Sequence, residues 1–371
     1  MNLSKEDLAR YSRHLLLSEI GQEGQEKLKS ASVLVIGAGG LGCPVLQYLA
    51  AAGVGRIGVI DLDDLEESNL QRQILYTVAD IGTNKALAAQ KRLAALNPLI
   101  EVLAYPYALD TSNALELFAL YDFIVDGTDN FATRYLVNDA CVITNKPLIY
   151  GSIFKFEGQV AVFNYQNGPS YRCLFPNPPA PGEVPNCSEV GVLGVLPGVV
   201  GTMQANEVLK IILGLGTVLS GKLLVYNALN TESLILNIKA NPTVIKETKA
   251  MEPNFKQLNY EAFCGLENPS EVAEISPKVL MEHLEKYVLI DVRETWEQPR
   301  YEALKGIDIP LPRLMLWNDK IPKDKPVVVL CAKGIRSKVA IEQLQRQFGY
   351  TNLTNLTGGI KNWEAQLLNI K

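Results

Sequence analysis

With 371 residues and 47% apolar side chains, the chain is too long for one ordinary core and is read as a globular protein of two domains. Lys and Arg number 35 against 40 Asp and Glu, a formal charge of -5, so there is no global basic field to hold nucleic acid or an acidic membrane face. Only two histidines, His14 and His283, are present, which leaves few candidates for a histidine triad, a histidine-rich metal site or a histidine proton shuttle.

The first ten residues are polar and lack the apolar stretch of a signal peptide. The most apolar later stretch, 190–215, is interrupted by Glu207 and Lys210, so the chain is expected to be soluble and cytoplasmic, away from membranes. Ser4-Lys-Glu-Asp7 has the form of a helix cap, and Leu8, Tyr11 and Leu15 follow at helical spacing with Arg10 and Arg13 on another face. Residues 33–36 read as a buried strand, 37–42 as a glycine turn, 44–52 as a helix stopped by Gly53, and 56–61 as a second strand. This unit has the size of a nucleotide-binding βαβ. A helix over 85–96 and strands over 102–105 and 123–125 continue the alternation, which implies a mostly parallel sheet. The segments 148–150, 159–163, 223–226 and 233–238 lack helices between neighbours in two cases, so the later half of the sheet is expected to be mixed or antiparallel. From 241 to about 270 the sequence turns polar around Pro242, Pro253 and Pro269 and reads as an interdomain linker. Strands over 288–291 and 327–330 and a helix over 337–348 mark a small separate α/β unit. The expected architecture is α/β: a Rossmann-like nucleotide-binding domain with a mixed sheet over 1–242, a linker over 243–273 and a small α/β domain over 274–371.

Gly37-Ala-Gly39-Gly40-Leu-Gly42 fits G-x-G-x-x-G, follows a strand and opens a helix, and Asp61 ends the next strand where it can accept hydrogen bonds from ribose hydroxyls. Alone, the motif indicates a nucleotide or dinucleotide, and a dehydrogenase is its usual reading. Charge placement separates ATP from NAD. Asp63, Asn69, Arg72, Gln73, Lys85 and Asp129 cluster at the ends of strands, where open α/β sheets bind ligands. A triphosphate with Mg²⁺ needs cations for its phosphates and a carboxylate for the metal, whereas hydride transfer needs neither.

Together, the glycine turn, Ile-Asp61-x-Asp63, Ser68-Asn69-Leu70-Gln71-Arg72-Gln73, Lys85, Asp126-Gly-Thr-Asp129-Asn130 and the early Tyr11-Ser-Arg13-His14 resemble the ubiquitin-activating-like family of MoeB and ThiF over roughly residues 1–240. The resemblance implies that Asp61 holds the ribose, that Asn69, Arg72 and Lys85 bind phosphates, that Asp129 holds Mg²⁺, and that Arg13 reaches the phosphates across a homodimer interface. The implied reaction is attack of a carboxylate on the α-phosphorus of ATP with loss of pyrophosphate. Orientation and charge neutralisation suffice for it, since the carboxylate is already a nucleophile.

Cys331 follows strand 327–330, and Cys331-Ala-Lys-Gly-Ile-Arg336-Ser337 leads into a helix, a setting of backbone N–H groups and nearby Lys333 and Arg336 that suits a thiolate better than a core residue. This loop, Asp291-Val-Arg293-Glu294 and Thr357-Gly-Gly359-Ile-x-x-Trp363 resemble a single-domain rhodanese over roughly 274–371. The resemblance implies a persulfide on Cys331, its charge stabilised by Arg336 and backbone amides. The segment Ala303-Leu-Lys-Gly-Ile-Asp308 departs from that family's usual Gly-His-Ile. Cys187 matches a cysteine of such two-domain proteins and is read either as a site of a transient thioester or disulfide with the substrate protein or as a structural thiol. The six cysteines show no disulfide-framework spacing. Relatives often hold zinc with two Cys-x-x-Cys pairs; here the first reads Ser170-Tyr-Arg-Cys173 and 241–249 has no cysteine, so no structural zinc is expected.

The fused pair most resembles molybdopterin-synthase adenylyltransferase/sulfurtransferase proteins. That resemblance implies a small ubiquitin-like, MoaD-like sulfur carrier ending in Gly-Gly as partner, a sulfur donor such as a cysteine desulfurase, and a place in molybdenum cofactor biosynthesis. A ThiS-like carrier, or one for cysteine synthesis or tRNA thiolation, uses the same chemistry. An NAD-dependent dehydrogenase leaves Arg72, Lys85 and Asp129 unexplained, and a non-catalytic scaffold that only binds a ubiquitin-like protein leaves the setting of Cys331 unexplained.

Overall fold

A computed structural model describes residues 3–179, 191–265 and 272–370. The described residues divide into two compact units, one running to Cys264 and the other from Gly265 onward. No helix among the described residues is long and apolar enough to cross a membrane.

The first unit is built on an eight-stranded sheet in the order β3-β2-β1-β4-β5-β6-β7-β8. Its strands are β1 Ser32–Ile36, β2 Arg56–Ile60, β3 Glu101–Tyr105, β4 Phe123–Asp126, β5 Leu148–Phe154, β6 Glu157–Phe163, β7 Lys222–Asn227 and β8 Glu232–Asn237. The first five are parallel and the last three antiparallel. Val33, Leu34, Val35 and Ile36 are all buried because helices cover both faces, which is why β1 reads as an unbroken apolar run. The chain winds from β1 to β2 and β3 on one side and then to β4 and β5 on the other, so the order reverses between β1 and β4. Ligands of open α/β sheets bind in the crevice at such a switch point.

Helix Gly42–Ala52 leaves the glycine turn and ends at Gly53, whose φ of 85° is left-handed. A Cβ at Gly53 would lie 2.5 Å from Tyr11, so this glycine is required for close approach as well. The opening segment is two short helices, Lys5–Arg10 and Ser12–Leu15, rather than one, because Tyr11 turns inward and its hydroxyl accepts from Asn97 Nδ2 at 2.8 Å. Leu196 and Val200 of helix Val195–Leu213 pack with Leu41 and Val160, while Val195 is exposed.

The stretch from 243, read as linker, is ordered into the first unit through Cys264. Helices Pro242–Ala250 and Tyr260–Phe263 form there, and Phe255, Tyr260 and Cys264 join the core. Tyr260 donates its hydroxyl to Asp139 Oδ2 at 2.8 Å, on a carboxylate already held bidentately by Arg172. Buried anchors at irregular spacing on short helices leave little periodic signal.

The second unit holds a five-stranded parallel sheet, order β11-β10-β12-β13-β9. Its strands are β9 Ala273–Ile275, β10 Val288–Asp291, β11 Ile307–Asp308, β12 Val327–Leu330 and β13 Leu353–Leu356. Helix Ile335–Phe348 starts two residues earlier than its sequence pattern indicates, directly after Gly334.

Candidate active sites

At the switch point of the first sheet, Ile36 of β1 lies in register with Asp126 of β4, so the glycine turn and the turn after β4 emerge side by side. Gly37 has φ 88°, and a Cβ there would lie 2.9 Å from Gly127 O. A Cβ on Gly42 would come within 2.0 Å of Gly37 O, so the turn closes only with glycine at this position. Tyr76 supports the turn from below, donating to Ala38 O at 2.9 Å. Cys43 beneath it is buried, which pushes its thiol up to about 12 and leaves it inert at neutral pH.

Asp61 accepts from Ala38 N at 2.8 Å and from Asp63 N at 2.9 Å, fixing its carboxylate under the turn. Burial raises its pKa above the ordinary carboxylate value, against the field of Lys85. Lys85, at the first position of helix Lys85–Leu96, has its stem buried and its ammonium 2.8 Å from Asp63 Oδ2. Asn84 just before it caps the helix and donates from Nδ2 to the carbonyls of Asp61, Leu62 and Asp63 at 3.1 to 3.2 Å. Asn84 thus clamps the loop after β2 to the lysine, a role that sequence reading missed although its capping position was visible.

Asn69 is buried and accepts from Glu66 N at 3.2 Å, and its own carbonyl receives the N–H groups of Arg72 and Gln73. Arg72 packs its stem toward Gly40, and Gln73 reaches Gly39. The amide nitrogen of Gln73 is the atom that approaches the glycine turn, while its Oε1 is buried with no hydrogen-bond partner among the described residues. Asp129 and Asn130 are exposed at the end of β4, Asn130 capping helix Phe131–Thr144 by accepting from Thr133 N at 2.8 Å. Beneath them Asp126 Oδ1 accepts from Thr128 N at 2.9 Å and Oγ1 at 2.6 Å, while Arg134 donates to Thr128 O at 3.3 Å and lies 3.7 Å from Asp126 Oδ2. Asp126 and Arg134 therefore hold Thr128 from both sides and set the turn that presents Asp129. Sequence reading singled out Asp129 and not this pair.

The contacts above tie Asp61, Arg72 and Gln73 to the glycine turn Gly37, Gly39, Gly40 and Gly42, and tie Asp63 to both Asp61 and Lys85. Asn69 shapes the turn that carries Arg72 and Gln73, and Asp129 and Asn130 follow β4, the neighbour of β1. Arg13 is exposed on helix Ser12–Leu15, and no hydrogen bond or ion pair among the described residues ties it to the crevice. Cys187 lies outside the described residues. A buried ammonium and a guanidinium suit a polyphosphate, and a solvent-facing carboxylate suits its divalent cation.

In the second unit, Cys331 follows β12 with only 1% of its surface exposed, deeper than its sequence setting indicates. Its sulfur accepts from Gly334 N at 3.1 Å, and the Ser337 hydroxyl lies 3.3 Å away. The glycines of Thr357-Gly-Gly359 close against the loop: Ile360 N donates to Cys331 O at 2.9 Å, and a Cβ on Gly359 would come within 2.3 Å of that oxygen. Arg336 does not stand free for the sulfur. Its two terminal nitrogens donate to Glu297 at 2.7 and 2.6 Å. Burial pushes the Glu297 carboxyl upward, but Arg336 and the Glu294 N–H at 2.8 Å outweigh it and hold it below the ordinary carboxylate range.

Comparison with known proteins assigns a family to each of the two units. The ThiF family model matches residues 11–245 and the rhodanese-like domain model matches 276–366. A sulfur carrier protein adenylyltransferase of Thermus thermophilus is 56% identical over 72% of this chain and all of its own length. A probable adenylyltransferase/sulfurtransferase, MoeZ, of Mycobacterium tuberculosis is 44% identical over 98% of this chain and 95% of its own. The adenylyltransferase and sulfurtransferase MOCS3 of Drosophila sechellia is 39% identical over 98% and 84% respectively. Among solved structures, E. coli MccB with ATP superposes at a TM-score of 0.55 and 25% identity, covering 63% of this chain and 72% of that one.

Proposed function

The chain belongs to the ThiF family, with a rhodanese-like domain behind the ThiF part, and from that premise we propose that it activates a ubiquitin-like sulfur carrier and then thiolates it. It is an adenylyltransferase and sulfurtransferase; the carrier, the donor and the residue roles are our reading. The terminal glycine carboxylate of a carrier ending in Gly-Gly attacks the α-phosphorus of ATP, the bond to the β-phosphate oxygen breaks, and pyrophosphate leaves. Asp61 orients the ribose, while Asn69, Arg72 and Lys85 neutralise phosphate charge. Gln73 and the glycines of the turn line the approach, and Asp129 is the carboxylate placed to hold the Mg²⁺ that accompanies ATP. Lys85 carries most of this weight, because a buried ammonium beside the glycine turn has no use in hydride transfer.

The persulfide on Cys331 then attacks the activated carbonyl, AMP leaves, and an external thiol reduces the resulting acyl disulfide to a thiocarboxylate. Arg13 is assigned to the partner's phosphate site in a homodimer, and Cys187 to transient capture of the carrier. A MoaD-like carrier in molybdenum cofactor biosynthesis, with a cysteine desulfurase as donor in the cytoplasm, is the favoured setting; the domain is taken to need no structural zinc. The observation that carries the proposal is the convergence of Lys85, Asp63, Asp61, Gln73 and Asp129 on the β1/β4 crevice. ATP–pyrophosphate exchange that requires a carrier with an intact Gly-Gly tail tests it, and exchange independent of any carrier tail would sink it. Mass spectrometry of the captured native carrier separates MoaD-like, ThiS-like and tRNA-thiolation carriers.

A further inference from the structure

Three arginines around the Cys331 loop are each matched by a carboxylate. Arg336 donates twice to Glu297, Arg293 lies 2.7 Å from Asp291 Oδ2, and Arg300 lies 2.6 Å from Asp308 Oδ1. Asp291 ends β10 in register with Leu330, the residue before Cys331, so this neutral array borders the sulfur. Glu297 is itself mostly buried, and its Oε1 is also pinned by the Glu294 N–H, so the Glu297 to Arg336 pair is held in place and not a loose surface contact.

A small inorganic donor such as thiosulfate is a dianion and draws its binding energy from unpaired cations. A sulfur carried as a persulfide on a protein cysteine brings at most one charge, and its affinity comes from the surrounding protein surface. Resting on the reading of Cys331 as the sulfur acceptor, we propose that Glu297 sets donor selectivity: by neutralising Arg336 beside the loop, it disfavours dianionic donors and leaves the site to protein-borne persulfides. The chemistry is the same for both donors. The Cys331 thiolate attacks the outer sulfur, the donor S–S bond breaks, and sulfite or the donor thiolate departs with the electron pair. Cys331 is left as a persulfide with no net oxidation or reduction.

The test compares two rates in the full-length protein, thiosulfate to cyanide and a persulfidated cysteine desulfurase to Cys331. Glu297→Gln keeps the side chain's shape and its acceptor for the Glu294 N–H but frees the charge of Arg336. The ratio of thiosulfate to protein-persulfide rates, as kcat/KM, is expected to rise at least about tenfold, mainly through a lower thiosulfate KM. Arg336→Gln in the same background is expected to erase the gain. An unchanged ratio overturns the proposal, including when both rates fall together as a merely structural role requires. Wild-type salt dependence gives a second measurement that needs no variant. A neutral array predicts a thiosulfate kcat/KM nearly flat between about 0.05 and 0.5 M salt, and a steep decline overturns the proposal. Cys331→Ala must abolish both transfers; transfer that persists there removes the sulfur-site reading itself, whatever Glu297 does.

Discussion

The ammonium of Lys85 lies 2.8 Å from the carboxylate of Asp63, with the lysine stem buried and the aspartate side chain 71% exposed. The partner of this buried cation is thus one that water screens and a phosphate can replace at small loss. Lys85→Met is expected to cut pyrophosphate exchange more than about a hundredfold, about 3 kcal/mol of barrier, while Asp63→Asn costs about tenfold at most. Steady-state exchange kinetics check the order of the two effects, and a Lys85→Met enzyme near wild-type rate removes Lys85 from phosphate binding.

The Glu297 to Arg336 pair makes the second unit's stability depend on pH. Unfolded, Glu297 titrates in the ordinary range; folded, it titrates below that range, so the folded state is favoured above the ordinary carboxylate pKa. That contribution is lost as pH falls through the folded value. The chain's three tryptophans, Trp296, Trp317 and Trp363, all lie in the second unit, so their fluorescence reports its unfolding alone. The urea midpoint of wild type is expected to exceed that of Glu297→Gln at about pH 7, and the gap is expected to narrow as pH falls through and below the ordinary carboxylate range. A gap that stays constant over this range contradicts the assignment.

Legibility in the sequence followed the physical origin of each feature. The strands β1, β2 and β4 were readable because they are buried on both faces, and the glycine turn because its close contacts admit no side chain at Gly42. Lys85 was readable from its place near a helix start, among the charges that cluster after the second strand. Asp126 and Arg134 were not singled out, because their pairing needs β4 and helix Phe131–Thr144 in place, with the guanidinium 5.2 Å from the Tyr150 ring of β5. The strands β9, β11 and β13 are two to four residues long and too short to show a period. The setting of Cys331 was readable as one for a thiolate, but its burial was not, because Gly359 and Ile360 fold over the loop, a contact between residues almost thirty positions apart.

The thiol of Cys173 accepts from Ser170 N and Asn241 N, both at 3.3 Å, and residues 241–249 hold no cysteine that could complete a thiolate set beside it. Extended dialysis against a chelator is expected to leave the unfolding temperature of the first unit within about 1 °C of its starting value. Stoichiometric zinc in the washed protein, or a large loss of stability on chelation, contradicts this.

Arg13 is exposed and unattached to its own chain's crevice among the described residues, so its proposed role requires a second copy. Arg13→Ala and Asp129→Ala proteins, each inactive alone, are expected to recover about a quarter of wild-type exchange when unfolded, mixed and refolded. Half the random dimers are then mixed, and each mixed dimer has one intact site. Failure to recover activity, with dimers confirmed by light scattering, places Arg13 outside the partner's site.

The final prediction separates the two chemistries. Asp129 stands at the end of β4 in the first unit and Cys331 after β12 in the second, and the proposed adenylation and sulfur transfer share the carrier's carboxyl but no protein side chain. Asp129→Ala removes the carboxylate assigned to Mg²⁺ and is expected to abolish pyrophosphate exchange while persulfide still forms on the protein. Cys331→Ala is expected to do the reverse, since the thiol takes no part in attack on ATP: acyl-adenylate accumulates and thiocarboxylate does not appear. Each loss should exceed about a hundredfold in its own assay and stay within about twofold in the other. Pyrophosphate exchange, persulfide labelling and mass spectrometry of the carrier read the three products independently. Should Cys331→Ala lower exchange as far as Asp129→Ala does, with both proteins folded, the division into an adenylating and a sulfur-carrying site fails.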